Sequence, residues 1–145
     1  MARLIDATSG LFERIPYAVI GLLGRLSLAW LFWSDGRARM DGSWNVLQPR
    51  YETMAMFRGG YDIRYVPYEF AAIAVQVAEL ALPVLLALGI ASRFAALGLL
   101  VLVIVFEIFV HPGPYAIHGV WAALLLVIIK FGPGSLSLDE VLGRR

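Results

Sequence analysis

The amino-acid sequence predicts an all-α integral membrane protein: a bundle of four transmembrane helices with an interfacial helical connection between the first and second. Composition is the first reason. Of 145 residues, 60% are hydrophobic and 16% charged, whereas soluble domains run nearer roughly 45–50% and 25%. The second reason is patterning, because the apolar residues gather into four stretches, 16–34, 67–89, 94–110 and 115–131. Each is about 17–23 residues long, enough to cross a hydrocarbon core ~30 Å thick at ~1.5 Å per residue. One compact membrane domain, 1–145, accounts for the whole length.

Ahead of the first stretch, Leu4, Ile5, Leu11 and Phe12 are interleaved with Arg3, Asp6, Glu13 and Arg14. Such a lead suits the membrane surface. The first stretch opens at Pro16, a residue favoured in a first helical turn, and is expected to end at the Ser34-Asp35-Gly36 turn. It begins after the mixed-polarity lead and carries Arg25 in its middle, so it reads as a retained span rather than a signal peptide. Gly21 and Gly24 within it suggest close helix packing. Trp30, Phe32 and Trp33 suit interface anchors or the wall of a pocket.

The connection from Asp35 to Val66 interleaves Arg37, Arg39, Arg50, Arg58 and Arg64 with Trp44, Tyr51, Met54, Phe57 and Tyr61. A long connection this aromatic is expected to form one or two interfacial helices over a mouth of the bundle. The second stretch runs from Pro67 to Gly89, with Pro83 placed to kink it or free a carbonyl. Tight turns at Ile90–Arg93 and His111–Pro114 make the last three helices antiparallel neighbours. After Gly132-Pro133-Gly134, Ser135 or Ser137 can cap a short final helix through Asp139 and Glu140.

Four crossings put both termini on one side. Six Lys and Arg residues fall there against five in the long connection, a bias that leans toward cytoplasmic termini. A net charge of +1 and the lack of a basic run argue against nucleic acid, and the apolar stretches make membrane lipid the expected partner. The chain has no cysteine. Disulfides, thiol–disulfide exchange, Cys-ligated zinc, iron–sulfur clusters and covalently attached haem are thereby excluded.

Charges inside the stretches are costly and must face a partner or cavity. Counted from the ends of their stretches, Arg25 lies about 13–14 Å deep and Glu79 about 15 Å deep. The two are therefore expected to pair, with Gln76 nearby, either as a bundle-locking salt bridge or as a proton or quinone site. Glu107 and His111 are four apart, and His118 lies one turn into the next stretch. These three converge as a hydrated polar cap, a proton or quinone site, or part of a metal site for which the spacing supplies too few ligands. A haem held by His111 and His118 is disfavoured, since both come from one short turn.

The runs Phe57-Arg58-Gly59-Gly60-Tyr61, Ala78-Glu79-Leu80-x-Leu82-Pro83-Val84-Leu85-Leu86-x-x-Gly89 and Ser92-Arg93-Phe94-Ala95-Ala96-Leu97 resemble the DoxX family of small four-helix membrane proteins. So do Phe109-Val110-His111-Pro112, His118-x-x-Trp121-Ala122-Ala123 and Gly132-Pro133-Gly134-x-Leu136-Ser137-Leu138-Asp139. Arg25, Glu79 and His118 fall on that family's recurrent polar positions. Two departures are the exit Trp33-Ser34-Asp35-Gly36-Arg37, where members often have Ser-Gly and a Lys, and Glu107 in place of an uncharged amide. The resemblance implies the fold more than an activity; together with the polar residues buried in a cysteine-free bundle, it leads to the expectation of a membrane subunit or accessory protein of a quinone-linked oxidoreductase in the plasma membrane. Quinone would be its non-covalent cofactor, a redox protein or larger membrane complex its partner, and Glu107, His111, His118 and Trp121 the candidate quinone or proton site. The alternatives are a non-catalytic scaffold or assembly subunit and a small metal- or solute-handling protein.

Overall fold

A computed structural model describes residues 15–42, 44–60, 66–110, 113 and 115–143. The lead before Ile15 and His111 lie outside them. Among the described residues six helices follow in order: α1 (Tyr17–Ala38), α2 (Tyr51–Gly60), α3 (Tyr68–Leu88), α4 (Ser92–Val105, continued as a π turn over Phe106–Val110), α5 (Tyr115–Phe131) and α6 (Leu138–Val141). Among the described residues there is no strand, only an isolated bridge between Met40 and Pro49.

Among the described residues three helical segments are long and apolar enough to cross a membrane: Tyr17–Ala38, Tyr68–Leu88 and Ser92–Val110. Helix α5 is equally apolar and has 17 residues. α1 packs mainly on α3, α4 on α5 and α3, and α2 against α3 and the π turn. One core joins Leu28, Phe32, Leu86, Leu99, Leu125 and Ile128. A second gathers Phe57, Ala72, Val75, Phe106 and Val110 beneath α2. Large apolar side chains such as Leu23, Trp30 and Phe94 remain on the outside, as a lipid-facing surface requires.

α1 does not stop at Ser34-Asp35-Gly36; it continues to Ala38. The Ser34 hydroxyl donates to the Leu31 carbonyl at 2.8 Å, which leaves the helix intact. Gly36 is a contact glycine rather than a turn glycine. A methyl there would lie 3.1 Å from both Glu79 Cβ and Leu80 Cδ2, so its absence sets how closely α1 and α3 approach. Gly21 meets the Pro133 carbonyl of the tail rather than a helix, and Gly24 faces open space.

α3 runs through Pro83 and ends in a Schellman motif. Gly89 takes a left-handed φ of 73°, while Ile90 N–H bonds the Leu85 carbonyl and Gly89 N–H that of Leu86. Of the two candidate capping serines, Ser137 caps α6, its hydroxyl accepting from Glu140 N–H at 3.3 Å.

Candidate functional site

Two polar centres lie at the end of the bundle that carries the long connection. A third locks the opposite end.

The first is built on the π turn. Glu107 sits within Phe106–Val110, where the hydrogen-bond ladder widens from i→i+4 to i→i+5. One oxygen of its carboxylate pairs with His118 Nδ1, one turn into α5. The other accepts from Gly113 N–H at 3.1 Å, tying the α4–α5 turn to the same side chain. The Trp121 ring lies 5.1 Å from the His118 ring, and Phe32 meets Trp121 edge-on at 5.7 Å. The structure thus brings Glu107, His118 and Trp121 together, whereas His111 lies outside the described residues. Trp30 and Trp33 face elsewhere, walling a groove of about 310 Å³ with Leu26, Pro83 and Val84.

The second centre corrects the expected Arg25–Glu79 pair. Glu79, 3% exposed, pairs instead with Arg39, whose Nη1 lies 2.6 Å from Glu79 Oε1. The Arg39 guanidinium also sits over the Phe106 ring, 4.4 Å from its centre. Its backbone is held by Arg50 N–H donating to the Arg39 carbonyl at 2.8 Å. The error was one of stagger. Gly36 packs on Glu79, so Arg25 lies about 16 Å further along α1, level with the C-terminus of α3.

At that opposite end Arg25, 0% exposed, donates to the carbonyls of Leu86 and Leu136. The chain after α5 forms a clasp around it. Tyr17 Oη donates to the Gly132 carbonyl at 2.8 Å, and Asp139 N–H donates to the Gly89 carbonyl at 2.8 Å. The Asp139 carboxylate accepts from Ala91 N–H, Ser92 N–H and Ser92 Oγ at 2.8–2.9 Å. It thereby satisfies the first amides of α4, a negative charge at a positive helix end. It also acts electrostatically on Arg25.

Sequence reasoning missed Arg39 and Asp139 as partners. Arg39 was one of five arginines in the connection with nothing local to single it out. Asp139 carried a better signal, since it follows a capping serine in a Gly-Pro-Gly-led tail. Among the described residues no group of three His, Cys, Asp or Glu side chains could hold a metal ion.

Apolar helices of spanning length, with ionic groups turned inward at both ends, define a polytopic membrane protein with built polar sites. Residues 20–112 match the DoxX family model, and the chain belongs to the DoxX family. A relative from Haemophilus influenzae (strain ATCC 51907 / DSM 11121 / KW20 / Rd), described as an uncharacterized protein, is 28% identical over 131 residues. The alignment covers 83% of this chain and 82% of that protein. No solved structure matches.

Proposed function

We propose that this protein is a membrane subunit or accessory protein of a quinone-linked oxidoreductase. In this reading it crosses the plasma membrane four times, α5 included, with cytoplasmic termini and α2 lying along the opposite interface. The observation that carries the proposal is the Glu107–His118 pair on a π turn, with Trp121 against the imidazole. A carboxylate–imidazole pair can pass a proton to or from a quinone oxygen near neutral pH, and an indole offers a flat face to a quinone ring. Without cysteines the chain brings no thiol chemistry, so electrons would come from a docked redox partner. Mild extraction into lipid nanodiscs should retain quinone and a redox subunit, and His118→Ala should lose the quinone while still folding. Recovery of neither from the wild-type protein would sink this reading.

The scaffold alternative draws on the clasp, which commits Arg25 and Asp139 to holding the bundle together. It expects His118→Ala and Glu79→Gln to lower thermal stability yet leave cellular respiration unchanged wherever the protein accumulates.

A further inference from the structure

Gln76 lies one turn from Glu79 on the same face of α3. Its side chain is fully buried, at 0% exposure. Among the described residues neither its Nε2 nor its Oε1 has a hydrogen-bond partner, and neither does Glu79 Oε2. In a bundle surrounded by hydrocarbon, such atoms are costly unless something polar meets them. Leu or Met would fill the position of Gln76 at no such cost, so the amide is conspicuous.

The atoms define what fits. Gln76 Oε1 and Glu79 Oε2 are acceptors, and Gln76 Nε2 is a donor. An O–H group complements this set: its hydrogen goes to the carboxylate or amide oxygen, and its oxygen accepts from Nε2. The third side of the arrangement is Arg39. Its side chain is 22% exposed against 4% for Glu79, so it joins the buried carboxylate to the surface of the bundle. It reaches in from the connection, stacked on Phe106, rather than from a neighbouring span.

We infer that Gln76 and Glu79 form a buried binding site for an O–H donor, either water or the hydroxyl of an amphiphile, with Arg39 as its lid. This goes beyond the Glu107–His118 reading and does not depend on it. An O–H group held on Glu79 under a side-chain lid can exchange its proton with the surface without any helix moving, a capacity a dry salt bridge lacks.

The experiment is water-edited solid-state NMR on the full-length ¹⁵N-labelled protein in lipid bilayers, which requires no variant to fold. Magnetisation should pass from water to the Gln76 side-chain amide far faster than to the backbone amide of Leu99 in the dry core. If the amide instead contacts non-protein C–H signals that disappear on delipidation, the occupant is the hydroxyl of an amphiphile and the site stands. Contact with neither overturns the proposal. Arg39→Ala should speed the transfer to Gln76, and an unchanged rate would remove Arg39 as the lid. His118→Ala should leave that transfer unaltered, even if it abolishes quinone retention.

Discussion

Arg39 illustrates how much one partially exposed side chain can decide. Removing one member of a buried pair strands the other, at a cost of about 3–5 kcal/mol, whereas removing both can be near neutral. Arg39 reaches solvent and Glu79 does not. Arg39→Ala should therefore destabilise the bundle more than Glu79→Ala, and the double variant should recover part of the loss. Thermal unfolding of the three variants in one detergent measures this. Arg25→Ala provides the contrast. Its guanidinium serves carbonyls at the other end of the bundle, so its effect should add to that of Glu79→Ala within about 0.5 kcal/mol. Strong coupling between Arg25 and Glu79 would contradict the described stagger.

Among the elements, the two glycines of α1 that face opposite circumstances make a paired test. Gly36→Ala puts a methyl 3.1 Å from Glu79 Cβ, and such overpacking costs about 1–3 kcal/mol. Gly24→Ala meets nothing within 4 Å and should stabilise the helix by about 0.5–1 kcal/mol. Equal melting temperatures for the two would refute the contact. Helix positions were largely legible beforehand, because apolar runs and Pro/Gly punctuation are local signals: α5 spans Tyr115–Phe131 as expected, and α3 starts one residue after Pro67. The exit of α1 was misread because Ser-Asp-Gly can turn a chain or pack a helix, and only the neighbouring helix decides which. The same gap explains the misplaced ion pair. Counting residues gives depth along one helix, but the stagger between helices comes from contacts such as Gly36 on Glu79, which no single helix encodes. Of the expected convergence of Glu107, His111 and His118, the structure describes the Glu107–His118 pair across the α4–α5 turn, and His111 lies outside the described residues. The π turn beneath Glu107 had no sequence signature.

Taken whole, the molecule is closed from its C-terminal side. Asp139 accepts three hydrogen bonds at the α3–α4 turn. Leaving those buried donors unmet should cost about 1–3 kcal/mol, so Asp139→Ala should melt several degrees lower, with Asp139→Asn between it and the wild type. A chain cut after Phe131 loses the whole clasp and should fail to accumulate in the membrane. One cut after Gly143 keeps Ser137 and Asp139 and should accumulate normally. Fluorescence-detected size-exclusion chromatography of tagged variants separates the two outcomes. Similar profiles would show the tail to be dispensable.

The bond from Arg25 to the Leu136 carbonyl joins groups 111 positions apart. At a ribosomal pace of about 5–20 residues per second, the arginine emerges roughly 6–20 s before this acceptor exists. Until Leu86 follows, the arginine has neither carbonyl acceptor, and until Leu136 it has only one, so α1 carries an incompletely met cation until the segment after α5 arrives. Synthesis of the segment that follows α5 is thus written into the bundle as a condition for burying Arg25. A ribosome stalled short of Leu136 would leave a visibly unfinished protein for membrane proteases to find.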